Sequence, residues 1–238
     1  MRVGILKTDT VKPELASHFG EYPEMFAQLI HAVDADVEFQ TWNALEGKLP
    51  SEVDACDAWL ITGSRVSVYD DLPWIPALED FIRQLHAAKK KLIAVCFGHQ
   101  LVARALGGRT AKADRGWVIG VQEICLAQPW SWLEDAPDRA RIIHSHQDQV
   151  LELPPGATLV GSNAVCPNAL FQLDDHIMAV QGHPEFSLDY ARNLFAGRRD
   201  LFGGERHDTA VASLRGGHDA GLFAAWMVAF LRSPASES

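Results

Sequence analysis

The run LIAVCFGHQLVARALGG, from Leu92 to Gly108, restricts the folds open to this chain more than any other stretch. Leu92 to Val95 form a short apolar run suited to a strand buried on both faces, and Leu101, Val102, Ala105 and Leu106 recur at helical spacing before the Gly107-Gly108 stop. Cys96 lies between them, so the chain has to turn from strand into helix at a cysteine. A side chain on such a turn is pushed out at the carboxyl edge of the sheet, beside the N–H groups and positive dipole end of the helix. That placement favours a thiolate. Taken alone, the position suits a small core hydrophobe equally well, the commoner fate of an unpaired cysteine.

The sequence around it fills in the architecture. Arg2 to Leu6 reads as a strand, Tyr22 to Val33 as a helix, Asp36 to Thr41 and Ala58 to Ile61 as strands, and Pro73 to Ala88 as a helix with proline in its first turn. Alternation of this kind predicts a parallel sheet wrapped by helices on both faces. From Gly116 to Val180 the pattern changes to the short runs VIGVQEICL, ARIIHS, ATLVGS, ALFQL and IMAVQ, separated by turn-forming residues. Helical spacing returns over Leu188 to Phe195 and Leu222 to Leu231, while GRRDLFGGERHDTAVASLRGGH between them has no dominant period. The expected class is therefore α/β, a mostly parallel central sheet with helices on both faces and a mixed or antiparallel extension. With no linker or repeat, residues 1–238 read as one domain.

Charge and composition narrow the partners. Thirty-one acidic against 21 basic residues give a net charge of -10, and no basic run carries interleaved aromatics, which argues against nucleic acid. The start MRVGILKTDT has no apolar leader and GLFAAWMVAFLRS is too short to span a bilayer, so a soluble, cytoplasmic protein without a membrane partner is expected. Cys56, Cys96, Cys125 and Cys166 form no CxxC pair, so neither a disulfide framework nor a cysteine zinc site is indicated.

A reactive cysteine needs a base, and the base needs a group that fixes its tautomer. The run IMAVQ leads directly into GHPEF, which sets His183 at a strand end, where such sheets carry their functional loops. Pro184 holds the preceding backbone extended, and a turn can then bring the Glu185 carboxylate back to the imidazole. With Nδ1–H on the carboxylate, Nε2 is free to face Cys96. Most of the ten histidines will be structural; His183 stands apart because it pairs with Cys96.

ITGS, strand-CFGHQ-helix, the SHQDQV run and the late GHPE, in that order along the chain, resemble the class I glutamine amidotransferases of the triad type. The chain is most similar to stand-alone proteins that look like the glutaminase domain of GMP synthase, from about Val3 to Phe195. The resemblance implies a flavodoxin-like fold with Cys96 as the nucleophile on the side-chain amide of glutamine, His183 as acid and base, and Glu185 as orienter. It implies an oxyanion hole from the backbone N–H groups of Phe97 and Gly63. Gln100 and the backbone around Ser145 and His146 would hold the glutamate portion, with Asp148 nearby. No cofactor is implied. His144, His146 and Asp148 are residue types able to take a metal, but thiolate chemistry needs none.

The chain departs from the family at several points. Ala94 stands where the usual elbow has glycine, and TGSRVSVYDD replaces a proline- and glycine-rich oxyanion loop. No ATP pyrophosphatase-like segment or P-loop appears, so a synthetase that accepts ammonia would be a separate subunit. Related stand-alone proteins include γ-glutamyl peptidases. Two readings thus accompany hydrolysis of glutamine or a related γ-glutamyl compound through a thioester: a peptidase acting on a larger conjugate, and an idle binding module on the same fold. For a larger conjugate, Tyr69 or Trp74 would offer an apolar wall and Arg65 or Arg115 a charge.

Overall fold

Along each central strand, successive side chains point to opposite faces, and both faces are apolar, so the strands can only be satisfied between two layers of helices. The computed structural model describes residues 1–127, 130, 132–133 and 136–234. Its first half runs β1 (Arg2–Lys7), α1 (Pro13–Phe19), α2 (Tyr22–His31), β2 (Glu38–Asn43), β3 (Ala58–Ile61), α3 (Trp74–Ala87), β4 (Lys91–Val95) and α4 (Phe97–Ala105). The strands β5 (Arg109–Lys112), β6 (Val118–Leu126), β7 (Arg139–His146), β8 (Asp148–Glu152), β9 (Ala157–Ser162), β10 (Leu170–Leu173) and β11 (Ile177–Val180) follow. The chain continues through α5 (Leu188–Ala196), α6 (Arg199–Phe202), α7 (Gly204–Ser213) and α8 (Ala220–Arg232).

Nine strands form one sheet in the order β2-β1-β3-β4-β11-β10-β9-β6-β7. Pairings from β2 across to β11 are parallel, whereas those from β11 out to β7 are antiparallel. The mixed extension predicted from the short β-like runs is this outer half, and β5 with β8 makes a separate antiparallel pair. Val3, Ile5, Leu60, Ile93 and Val95 face α2 and α8, where they meet Phe26, Ile30, Phe223 and Phe230. Leu6, Trp59, Ile61, Leu92 and Ala94 face α3 and α4, against Leu78, Phe81, Leu101 and Val102. Each such side chain contributes about 1.5–3 kcal/mol of transfer free energy on burial.

The segment without a clear period folds as α6 and α7. Only His207 and Ala210 of α7 are buried, so its sequence carries almost no amphipathic signal. What fixes α7 is tertiary: Ser213 Oγ accepts the Val121 N–H at 2.8 Å, and Gly120, at φ 84°, leaves no room for a side chain beside Ala210. Among the described residues, no helix is long and apolar enough to cross a membrane.

Candidate active site

Parallel strands all deliver their carboxyl ends to one edge of the sheet, so the residues following β1, β3, β4 and β11 converge there. Those residues are Asp9, Gly63, Cys96 and His183, and all four line one cavity of 320 Å³. Cys96 sits at the abrupt change from β4 to α4 with φ 51° and ψ -99°, a conformation that costs a non-glycine residue on the order of 1–3 kcal/mol. The surroundings hold it there. Its N–H donates to Val180 O at 2.8 Å, and Gly98 lets α4 close onto β3, since a side-chain carbon there would stand 2.9 Å from Ile61. Ala94, at the position where a glycine was expected, is buried without difficulty on the α3–α4 face.

His183 is positioned from three sides. Its N–H donates to Ile143 O at 2.7 Å, its ring stacks on Phe186 at 4.0 Å with a 9° interplanar angle, and its Nδ1 lies 2.8 Å from Glu185 Oε1. Cys96 lines the same cavity, close enough to act electrostatically on the imidazole. Burial pushes the imidazole toward the neutral form, but the electrostatic pull of Cys96 and Glu185 and the hydrogen bond to Glu185 outweigh it and raise the pKa to about 10. The ring is therefore held toward its cationic form.

Gly63 is a steric necessity at this point. A Cβ on it would lie 2.8 Å from His183 Cε1 and 3.5 Å from Cys96 Cβ. The Thr8 hydroxyl donates to Gly63 O at 3.0 Å and so anchors the loop after β3. Among the described residues, the backbone N–H groups of Gly63 and Phe97 donate to no protein acceptor.

Gln100 lines the same cavity, its Nε2 donating to Asp148 O at 2.8 Å and to Gln181 Oε1 at 3.0 Å. Asp148 accepts the hydroxyl of Ser67 at 2.5 Å and that of Tyr69 at 2.8 Å, which ties the loop after β3 to β8. Ser145 Oγ is buried and has no partner. His146 uses both ring nitrogens: Nδ1–H donates to Asp148 O at 2.9 Å, and Nε2 then accepts from His144 Nδ1 at 2.9 Å. Burial drives both imidazoles to the neutral form, His146 with a pKa of about 3. Only the backbone of His146 is left to contact a ligand. Among the described residues, no group of three His, Cys, Asp or Glu side chains is arranged to hold a metal.

The outer residues expected to receive a larger conjugate are placed differently. Trp74 is buried against Phe97, Tyr69 is committed to Asp148, and Arg65 is paired with Asp9 through a 2.8 Å Nε–Oδ1 contact. Arg115 lines a neighbouring hollow instead of the cavity. The cavity wall comes from Trp117, Phe186, Leu194, Arg198 and Leu201. Arg198 and Leu201 lie in the segment from Gly197 to Gly217, whose glycine and charge content suits a loop flanking a cleft, but with no period there neither residue is singled out by the sequence.

Fold and site together define an α/β protein whose cysteine-centred cavity opens at the carboxyl edge of a parallel sheet. The chain belongs to the class-I glutamine amidotransferase family, whose profile matches residues 18–196. It is 33% identical over 178 residues to γ-glutamyl peptidase 4 of Arabidopsis thaliana, covering 72% of this chain and 70% of that protein. A glutamine amidotransferase from Methylobacillus flagellatus superposes with a TM-score of 0.78 at 24% identity, covering 97% of this chain and 92% of that one. A GMP synthase-type protein from Thermoplasma acidophilum gives a TM-score of 0.61 at 17% identity over 91% of this chain and 96% of that one. The likeness to both structures is one of fold.

Proposed function

We propose that this chain is a cysteine hydrolase of γ-glutamyl amide bonds, with Cys96 as nucleophile, His183 as acid and base, and Glu185 as the group that orients His183. The observation that carries this reading is the position of His183, beside Cys96 on the wall of one cavity and hydrogen-bonded through Nδ1 to Glu185. Cys96 Sγ attacks the γ-carbonyl carbon, and the oxygen takes up the charge. The free N–H groups of Gly63 and Phe97 are suited to bind that oxyanion, and losing one such donor typically costs about a hundredfold or more in rate. The C–N bond then breaks as the His183 imidazolium donates its proton to the departing nitrogen. A γ-glutamyl thioester remains. His183, now neutral, takes a proton from water, the water oxygen attacks the thioester, glutamate leaves, and the thiolate and imidazolium are restored.

The glutamate portion fits Gln100, the unpartnered Ser145 hydroxyl, the backbone at His146 and the Asp148 carboxylate, all on one part of the wall. Similarity to a plant γ-glutamyl peptidase favours a γ-glutamyl conjugate as substrate alongside glutamine. In a second reading, favoured by the family, the chain is a glutaminase subunit that passes ammonia to a separate synthetase. Steady-state kinetics on the purified chain, with glutamine and a panel of γ-glutamyl dipeptides, separates the two. Turnover of dipeptides by the chain alone, abolished in both Cys96→Ala and His183→Ala because nucleophile and base act as a unit, is the expected result. Negligible turnover of every substrate, with ammonia release restored by an added synthetase, would establish the subunit reading instead.

A further inference from the structure

The hydrolase reading leaves open what lies beyond the scissile nitrogen. We propose that the preferred substrates carry a free carboxylate on the leaving-group side, as a γ-glutamyl amino acid does, and that Arg198 binds it. The inference rests on the γ-glutamyl hydrolase reading and assigns the specificity of the same cavity.

The cavity is lined by two chemically different sets of groups. Gln100, Ser145, His146 and Asp148 are polar and match the zwitterionic head of a glutamyl group. Trp117, Leu194 and Leu201 are apolar and have no counterpart in glutamine, whose leaving group is ammonia alone. Leu201 is 59% exposed, more than Val33, Tyr69 or Leu151, the other exposed large hydrophobics among the described residues. A leaving group with carbon atoms would cover this apolar set. Arg198 lies within it.

The charge balance at the site identifies the distal group. Two arginines line the cavity, Arg65 and Arg198. Arg65 is neutralised by the buried Asp9, to which its Nε and backbone N–H both donate. Arg198 forms no ion pair and no side-chain hydrogen bond among the described residues, although the chain as a whole carries ten excess negative charges. Its guanidinium is close enough to the hydrogen-bonded hydroxyls of Tyr22 and Tyr190 to oppose the rise in their pKa. Both of those phenols stay neutral at physiological pH, so the cation next to them keeps its charge uncompensated. A guanidinium offers the planar pair of donors that a carboxylate accepts.

The test compares γ-glutamylalanine with its C-terminal amide, following glutamate release from each. For the natural chain, kcat/KM for the acid is expected to exceed that for the amide by about tenfold or more, as befits an ionic hydrogen bond. In Arg198→Met that ratio is expected to collapse to about one, and in Arg198→Lys, which keeps the charge without the planar fork, to fall between. Thermal melting of each variant establishes that the fold is intact. Equal turnover of acid and amide by the natural chain, or a ratio that survives in Arg198→Met, overturns the proposal and leaves the hydrolase reading standing. Failure to cleave either compound overturns both.

Discussion

Cys96 combines two features that rarely occur together in one side chain, near-complete burial and a backbone angle that disfavours any side chain at all. The fold retains the strain because only this conformation carries Sγ from the end of β4 toward His183 while opening α4 with its N–H groups free. Glu185 acts on the same pair through the imidazole. One of its oxygens meets His183 Nδ1, and the other is buried without a partner, so the carboxylate is held for the histidine alone. Replacing it by glutamine keeps the volume and removes a carboxylate that helps to hold the proton on His183. The folded-state pKa of His183, about 10, lies above its ordinary 6.5, so the charged contacts stabilise the fold fully below about pH 6.5 and are lost as the pH rises toward 10. In Glu185→Gln the alkaline limb of the pH–rate profile should move to lower pH, with kcat reduced on the order of a hundredfold or more. An unmoved limb would take the orienting role away from Glu185.

The meeting of β4 with α4 is the element on which the site depends, and glycine makes it possible. Gly98 brings the first turn of α4 against β3, where a methyl group would stand 2.9 Å from Ile61 Cβ, Cγ2 and carbonyl oxygen at once. Gly98→Ala gains helix propensity of up to about 1 kcal/mol and incurs an overpacking cost of roughly 1–3 kcal/mol, so a net loss is expected. A lower denaturant midpoint at unchanged slope would record it, and equal or higher stability would show that α4 has room to move. This element was legible in the sequence because strand, cysteine, glycine and helical spacing all fall within seventeen residues. The approach of His183 to Glu185 was legible for the same reason, through Pro184 between them. Arg198, Trp117 and α7 were not. Arg198 opens the stretch after α5 that shows no period, and Trp117 precedes β6, so their shared position is decided by how α5 to α7 pack over the antiparallel strands. Contacts between segments far apart in the chain leave no local pattern to read.

At the scale of the whole molecule, each part of the sheet has its own task. The parallel half carries Asp9, Gly63, Cys96 and His183 to one edge, the antiparallel half supplies Ser145 and His146, and the helices after β11 close the far wall with Leu194, Arg198 and Leu201. Because these contributions span the chain, the cavity depends on the fold as a whole. Under the proposed reading one cysteine among four reacts, and the surroundings of the other three agree with that. Burial pushes the Cys166 thiol up to about 12 and raises that of Cys56, while Cys125 is exposed but lies outside the cavity. The central claim is a γ-glutamyl thioester on Cys96, and the most direct measurement is to mix the intact chain with a γ-glutamyl dipeptide, quench in acid during turnover and map the modified peptide by mass spectrometry. The account requires one γ-glutamyl group on the peptide that holds Cys96 and none on those holding Cys56, Cys125 or Cys166. Turnover without any adduct, or an adduct on one of the other three cysteines, would contradict it.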